Sequence, residues 1–313
     1  MTANAIVTVV IPCFNAELTL ARAVDSVLAN RPYVRQIILV ENNSTDGTKN
    51  ECERLVALHN GIISLHFEST SGACNARNKG LEFVDTEWVQ FLDADDTILP
   101  TKLRKQLSFG IENDFDVIVS PFEMVFENGT ILKSAEPELP PELGLMRGSL
   151  GTTGANLFRT NSVRNIDGWN PKWSSAQEYE LMFRLYLDGA KFGAHHQRLF
   201  NYSAGREGSI SSGNPRDLRT NSLVLRRKML EKFISSDMEV HIKQRLYNGL
   251  FNQIRWSYFE NRMLAEENWT FLKELGYIPS KDHSLPLVYC WLVRVSGLRF
   301  AENLRRLFQK GRK

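Results

Sequence analysis

Residues 88–96 read WVQFLDADD, so a short apolar strand runs directly into three carboxylates, Asp93, Asp95 and Asp96. Like charges this close together repel unless a cation neutralises them, and hard divalent cations prefer oxygen ligands. The C-terminal end of a strand is also where open α/β sheets bind their ligands. The stretch therefore predicts a buried strand followed by a metal-assisted site for an anionic substrate. The alternative is an acidic turn that caps the next helix.

The residues before this stretch alternate between strand and helix patterns. Continuous apolar runs predict strands at 6–11, 36–40 and 62–67, and each is followed by a helical pattern. In the first helical pattern the apolar face holds Leu18, Ala21, Val24, Val27 and Leu28. Three such βα units favour a parallel sheet with helices on both faces. Because crossovers are right-handed, the loops that follow the strands are expected at one edge of this sheet.

The pattern changes after residue 96. Asn128-Gly129 lies between two short apolar runs and predicts a tight hairpin, whereas residues 134–144 hold three prolines and predict an irregular loop. From residue 218 onward only helical periodicity occurs. Further elements are expected at 117–119 (strand), 177–187 (helix), 191–194 and 199–202 (strands). We place a boundary near Asn214-Pro215, between a domain of residues 1–214 and a helical region of residues 215–313.

Composition indicates an ordinary globular chain with an uneven charge distribution. Of the 313 residues 42% are apolar and 24% are charged. Residues 1–215 hold 19 basic and 26 acidic residues, whereas residues 216–313 hold 19 and 10. This split suggests two regions with different partners. The four cysteines have no CxxC spacing and no signal peptide precedes them, so we expect reduced, buried thiols in a cytoplasmic protein without a zinc site.

Polar or aromatic residues follow three other predicted strands at the same edge of the sheet. An aromatic such as Phe14 could stack on a nucleobase, although a core phenylalanine is the alternative. Glu41 and Asn42 are suited to reading a base or ribose, with a helix cap as the alternative. A glycine that opens a helix frees N–H groups for phosphate, and Arg77 could add a charge-assisted contact. The candidates are Pro12, Phe14 and Asn15, then Glu41 and Asn42, then Arg77.

A further candidate, Glu178, lies at the start of the helix expected at 177–187. It could face a cleft as a general base. Ser175 and Glu178 also have capping-box spacing, as do Ser174 and Gln177, so a helix cap is the alternative. The chain has no GxGxxG, GxxxxGK[ST] or GxSxG motif, which disfavours the usual dinucleotide, P-loop and serine-hydrolase chemistries.

In their order and spacing these segments resemble the family 2 glycosyltransferases: VVIPCFN, VENNSTDGT, GACNARNKG, FLDADD and AQEYEL. The resemblance covers about residues 6–212. It implies the GT-A fold, a Rossmann-like and mostly parallel central sheet flanked by helices, here followed by a C-terminal α-helical region. It further implies inverting transfer of a sugar from a nucleotide-sugar, with UDP-sugars favoured, to an acceptor hydroxyl in polysaccharide or glycoconjugate biosynthesis.

The resemblance also implies roles for individual residues. Asp95 matches the main ligand of a Mn²⁺ or Mg²⁺ ion. Asp93 matches a second ligand that also lies beside the sugar. Glu178 matches the catalytic base. Arg206 lies in a segment that can close over the diphosphate, although an ordinary polar loop is the alternative. The remaining expected substrate-binding residues are Pro12, Phe14, Asn15, Glu41, Asn42 and Arg77.

Two departures from the family pattern concern specificity. The chain has Glu41-Asn42 where two acids are common, which leaves the donor nucleotide open. It has Gln177-Glu178 in place of an acidic pair ending in Asp, which moves the base carboxylate by one methylene. A non-catalytic nucleotide-sugar-binding scaffold and a metal-dependent nucleotidyltransferase are the alternative functions.

The basic C-terminal segment suggests a surface partner. The longest uncharged apolar stretch there, residues 285–293, is too short to span a bilayer. Phe300, Leu304, Leu307 and Phe308 follow helical spacing among basic residues, which is typical of an interfacial helix that binds anionic lipid. We expect peripheral binding at the inner face of the cell membrane, a glycan or lipid-linked glycan acceptor, and no nucleic acid. A terminal helix that packs on its own domain is the alternative.

Overall fold

The structure is a computed structural model that describes residues 6–205, 215–235, 237–281 and 285–310. The chain forms two compact units. The first comprises the described residues up to Gly144 and from Gly148 to Gly205. The second comprises Leu145–Arg147 and the described residues from 215 onward. The boundary expected near Asn214-Pro215 falls at the edge of a segment outside the described residues. The boundary therefore stays a prediction. The assignment of Leu145–Arg147 to the second unit was not expected from the sequence.

The described part of the first unit contains these strands: β1 (Val7–Cys13), β2 (Val34–Glu41), β3 (Ile63–Phe67), β4 (Trp88–Phe91), β5 (Thr97–Ile98), β6 (Val117–Val119), β7 (Glu123–Phe126), β8 (Ile131–Lys133), β9 (Leu157–Arg159), β10 (Phe192–Ala194) and β11 (Phe200–Ala204). Its helices are α1 (Leu20–Leu28), α2 (Thr48–Leu58), α3 (Ala73–Glu82), α4 (Lys102–Glu112), α5 (Pro141–Arg147), α6 (Thr160–Asn165) and α7 (Gln177–Leu187).

The main sheet has seven strands in the order β10-β6-β9-β4-β1-β2-β3. All neighbours are parallel except β9, which pairs antiparallel with both β4 and β6. Val9, Val10 and Ile11 of β1 are fully buried, as a strand covered on both faces requires. The predicted mostly parallel α/β sheet flanked by helices is therefore confirmed.

A second sheet of four strands has the order β5-β11-β7-β8. Strands β7 and β8 form the predicted hairpin, and Gly129 in its turn has a φ of 81°, which glycine adopts at little steric cost. Strand β11 pairs antiparallel with β5, with Asn201 opposite Thr97. This pairing was not expected from the sequence, and it places β11 beside the residues that follow the acidic cluster.

Two local predictions are wrong. The expected irregular loop at 134–144 ends in helix α5, which begins at Pro141 and buries Leu143. Proline is tolerated in the first turn of a helix, where its missing N–H is not needed. Leu18, assigned to the buried face of the first helix, is 89% exposed because α1 starts two residues later, at Leu20.

The second unit is helical, as expected from residue 218 onward. Its helices are α8 (Pro215–Phe233), α9 (Val240–Ser257), α10 (Arg262–Glu274) and α11 (Leu287–Lys310). Leu246, Leu250, Phe251 and Ile254 of α9 are buried. Helix α11 bends at Gly297, whose φ of 79° interrupts the helical backbone. Within the described ranges, no helix has the length and apolar character that a bilayer span requires.

Candidate active site

The acidic cluster is a tight turn that joins strand β4 to strand β5. The backbone N–H of Asp96 donates to the carbonyl of Asp93 at 3.1 Å, which closes the turn. The Asp96 side chain is buried and accepts the backbone N–H of Ser203 at 2.7 Å. The Ser203 hydroxyl in turn donates to the carbonyl of Asp95 at 2.5 Å. Strand β11 therefore holds the turn, and Asp96 is its anchor.

The turn carries more negative charge than its surroundings readily accommodate. Burial, together with the charges of Asp93 and Asp95, raises the pKa of Asp96 well above its ordinary value. Arg22 lies beside the turn and donates to the carbonyl of Asp95 at 2.7 Å and to Ser203 Oγ at 3.2 Å. The next helix, α4, has Thr101 as its N-cap and no side-chain capping bond. The alternative of an acidic helix cap is therefore wrong.

Arg77 links the turn to helix α7. Its guanidinium donates to Asp93 Oδ1 at 2.6 Å and to Gln177 Oε1 at 3.2 Å, and it lies 4.5 Å from the ring centroid of Trp169. Burial opposes its charge, but the Asp93 carboxylate outweighs burial, and the pKa of Arg77 is raised above its ordinary value. Arg77 thus bonds protein groups and positions Asp93. The phosphate contact expected from the sequence stays a prediction.

Glu178 lies in the first turn of helix α7. The N-cap is Ala176, in the left-handed conformation with a φ of 57° and without a side-chain capping bond. Ser175 and Glu178 therefore do not occupy the N-cap and N3 positions, so the capping-box alternative is wrong. Gln177 bridges Arg77 and the carbonyl of Trp173, to which its amide donates at 3.0 Å. Glu178 therefore directly follows the residue that bonds Arg77, and Arg77 in turn bonds Asp93.

Hydrogen bonds join the loop that follows β1 to the loop that follows β2. Asn15 has a φ of 47° and accepts the N–H of Thr45 at 2.8 Å through Oδ1. The Glu41 carboxylate accepts the N–H of Ser44 at 2.6 Å. Phe14 is 57% exposed, so the alternative of a core phenylalanine is wrong, and Pro12 beside it is half-buried. Asn15 and Glu41 shape these loops, while the Phe14 ring is open to a ligand.

Asn42 holds the loop between β3 and α3. Its amide donates to the carbonyls of Glu68 at 2.7 Å and Thr70 at 2.9 Å, and its Oδ1 accepts the N–H of Gly72 at 2.8 Å. Both amide hydrogens are used, so a base could contact this side chain only through the second lone pair of Oδ1. A base contact in which the Asn42 amide donates does not fit this geometry, whereas one in which Oδ1 accepts does.

Three further observations bear on the predicted site. Arg206 lies outside the described residues. Across the parts of the chain that the structure describes, no three His, Cys, Asp or Glu side chains form a ready metal site. The sequence analysis missed Ser203 and Arg22, which hold the acidic turn. Their hydrogen bonds join residues 73 to 181 positions apart, and no local sequence pattern predicts such contacts.

The chain belongs to the family described as Glycosyl transferase family 2, whose sequence model matches residues 8–204, well over half of the chain. The Bacillus subtilis protein TuaG, named as a glycosyltransferase of teichuronic acid biosynthesis, is 34% identical over 127 residues, 41% of this chain and 50% of the relative. The Escherichia coli protein WfgD, a UDP-Glc:α-D-GlcNAc-diphosphoundecaprenol β-1,3-glucosyltransferase, is 27% identical over 133 residues, 42% of this chain and 52% of the relative. The chain spans about half the length of these relatives.

Solved structures share the fold. Residues 1–349 of TarS from Staphylococcus aureus, in complex with UDP-GlcNAc, align with a TM-score of 0.64 at 19% identity, over 97% of this chain and 92% of that one. The mannosyltransferase PcManGT of Pyrobaculum calidifontis, in complex with GDP-Man and Mn²⁺, aligns with a TM-score of 0.61 at 14% identity, over 97% and 88%. The predicted GT-A fold and the predicted glycosyltransferase class are thus confirmed.

Proposed function

We propose that this glycosyltransferase transfers a sugar from a UDP-sugar to an acceptor hydroxyl with inversion at the anomeric carbon. One observation carries the proposal: Arg77 joins Asp93 of the acidic turn to Gln177, the residue next to Glu178. This link supports a single site that contains Asp93, a proposed ligand for a cation on the donor diphosphate, and Glu178, a proposed base for the acceptor. Transfer by single displacement needs both and needs no enzyme nucleophile.

Glu178 is the proposed general base. An alcohol is a poor nucleophile until its proton is removed during attack, and a positioned base contributes about 10²–10⁴-fold to the rate. The side chain of Glu178 is half-buried at the start of α7, and neighbouring Gln177 is held at both ends of its amide. This rigid helix start would keep the carboxylate in position to take the acceptor proton. The product is a β-linked sugar if the donor is α-linked.

The acidic turn is the proposed site for Mn²⁺ or Mg²⁺. The donor set fits, because Asp93 and Asp95 offer hard oxygen ligands in one tight turn. Mg²⁺ is commonly held by one or two carboxylates together with substrate phosphates, so three convergent protein ligands are not required. When bound, such a cation neutralises charge on the leaving diphosphate. Asp95 is the main proposed ligand, with Asp93 second and beside the sugar.

The nucleoside is proposed to lie against the loops after β1 and β2. The exposed ring of Phe14 and the adjacent Pro12 offer an apolar surface, while Glu41 and Asn15 fix the loop that carries Asn42. UDP is favoured, since the solved structure of TarS contains UDP-GlcNAc. The acceptor is proposed to be a growing surface glycan. One relative acts on a diphosphoundecaprenol-linked sugar, which supports a lipid-linked acceptor and peripheral membrane binding for this chain as well.

Glu178→Gln tests the proposal. The amide keeps the size of the side chain but cannot take a proton, so we expect sugar transfer from UDP-sugar to fall by about 10²-fold or more while UDP binding stays unchanged. Transfer is measured as UDP release in the presence of acceptor, and UDP binding by calorimetry with Mn²⁺. The matched control is Glu112→Gln, at the end of α4 and away from the site.

The outcomes separate the alternatives. Unchanged transfer in Glu178→Gln would refute the base assignment. UDP binding without any transfer by the wild-type chain would favour a nucleotide-sugar-binding scaffold. Release of pyrophosphate from a nucleoside triphosphate and a sugar phosphate would instead identify a nucleotidyltransferase.

A further inference from the structure

Helix α11 has two apolar faces before its bend at Gly297. One face packs inside the second unit: Tyr289, Cys290 and Val293 are each less than 10% exposed. The other face is open, although a helix that only packs on its own unit needs a single apolar stripe. Packing within the second unit does not explain why this second face is apolar.

The open face consists of four residues that we call the α11 apolar stripe: Leu287, Val288, Trp291 and Val295. Their exposed fractions are 63%, 70%, 60% and 64%. Successive helical residues are rotated by about 100°, so positions 287, 288, 291 and 295 lie within one third of the helix circumference. The positions of the packed face point away from it. The stripe is therefore a continuous apolar surface rather than scattered side chains.

Basic side chains border the stripe. A groove of about 540 Å³ is lined by Leu287, Val288 and Trp291 together with Lys281 and Arg294. Beyond the bend, Arg299, Phe300 and Arg306 are exposed, Phe300 at 53%. Residues 216–313 as a whole hold 19 basic and 10 acidic residues. The surface thus combines apolar side chains, a tryptophan and a positive border.

We propose that the α11 apolar stripe binds the surface of an anionic lipid bilayer, with α11 lying in the plane of the interface. Leucine and valine would enter the boundary between headgroups and acyl chains, tryptophan favours this depth, and the arginines would meet lipid phosphates. This arrangement requires no bilayer-spanning helix.

Charge decides between a bilayer and a second copy of the chain. In a two-fold dimer the same patch meets itself, so two positively charged borders would be brought into one interface. Anionic lipid instead neutralises these charges. The sequence-based interpretation assigned lipid binding to residues from Phe300 onward, where Leu307 and Phe308 are also exposed, at 69% and 70%. The stripe extends that expected surface to residues 287–295.

The test is sedimentation of the full chain with vesicles of phosphatidylcholine alone or mixed with phosphatidylglycerol. We expect binding to the mixed vesicles and a fall of about tenfold or more in the partition coefficient of the double variant Leu287→Glu/Trp291→Glu. The matched control is Leu58→Glu, since Leu58 is 63% exposed on α2 in the first unit. Lys281→Gln should weaken binding by about fivefold at low salt, because it removes one positive charge.

Other outcomes would overturn the proposal. These are absence of binding by the wild-type chain, equal binding to neutral vesicles, or equal binding by the double variant. Light scattering without lipid provides a second check: a wild-type dimer that Leu287→Glu/Trp291→Glu converts to a monomer would assign the stripe to self-association. Circular dichroism confirms that each variant is folded. The inference deepens the peripheral membrane binding of the proposed function. Neither measurement depends on sugar transfer, so lipid binding and sugar transfer can fail separately.

Discussion

At the scale of single residues, side chains selected for ligand chemistry also build the loops of the site. Asn42 donates both amide hydrogens to carbonyls of the β3–α3 loop, and Arg77 bonds both Asp93 and Gln177. Asp96 anchors the acidic turn to β11 through Ser203. A polar residue at the end of a strand therefore can shape the site without being the group that contacts the substrate.

The first prediction concerns Arg77. Arg77→Lys keeps the positive charge but cannot engage Asp93 and Gln177 together while stacking on Trp169. We expect kcat/KM for the nucleotide-sugar to fall by about 10–100-fold and more Mn²⁺ to be needed for half-maximal rate. Kinetics over a Mn²⁺ titration measure both. Arg54→Lys, at an exposed pair with Glu51, serves as the control. An unchanged Mn²⁺ dependence would contradict the positioning role.

The second prediction concerns pH and Lys102, whose side-chain nitrogen lies in the core, 2.7 Å from Gln106 Oε1 and beside Gln90 Oε1. Burial lowers the pKa of Lys102 well below its ordinary value. Between the lowered pKa of the folded chain and about pH 10.4, the unfolded chain binds more protons at this position. The free energy of unfolding should therefore rise with pH in this range, by up to about 1.4 kcal/mol per pH unit.

Lys102→Met removes this dependence. Relative to the wild-type chain, the variant should therefore gain more stability at pH 6 than at pH 9, as measured by urea unfolding at both values. Lys105→Met provides the matched control, since Lys105 lies on the same helix, is half-buried and bonds Gln197 Oε1. A pH-independent difference between Lys102→Met and the wild-type chain would contradict the depressed pKa.

At the scale of elements, contacts distant in sequence decided what local patterns left open. Strands β1, β2 and β4 were predictable because each is a continuous apolar run followed by turn residues. Strand β9 has three residues and owes its place to antiparallel pairing with β4 and β6. Helix α5 was not predicted, because prolines at its start favoured an irregular loop. Leu143 within this helix is almost fully buried.

The third prediction tests α5 as a packed element. Leu143→Ala should lower the free energy of unfolding by about 2–5 kcal/mol, since it leaves a cavity beneath the helix. Leu139, just before α5, is 40% exposed, and Leu139→Ala should cost much less. Urea unfolding of both variants provides the measurement. Equal small effects would restore the interpretation of this segment as a surface loop.

At the scale of the whole molecule, the chain joins a family 2 glycosyltransferase domain to a basic helical unit. The excess of basic residues lies beyond residue 215, and the acidic turn lies in the first unit. This division allows donor binding and surface binding to be tested independently of each other.

The fourth prediction is ligand-dependent stabilisation of the first unit. A ligand at 100 times its Kd stabilises the folded state by about 2.7 kcal/mol, so UDP with Mn²⁺ should raise Tm measurably. GDP, dTDP and CMP should raise it less, and a chelator should reduce the effect of UDP. Asp95→Asn should remove the Mn²⁺-dependent part, whereas Asp188→Asn at the end of α7 should not. No shift with any nucleotide would contradict the proposed donor class.

The sequence by itself determined the α/β class, the helical C-terminal region and the set of loops that carry the candidate residues. Hydrophobic periodicity and turn chemistry are local, and they act over the few residues that form one element. Tertiary structure alone decided that Arg77 binds Asp93, that Ser203 holds the acidic turn, and that Leu287 to Val295 form an open apolar stripe. These results depend on which distant segments come together, and burial and hydrogen bonding between such segments leave no local pattern.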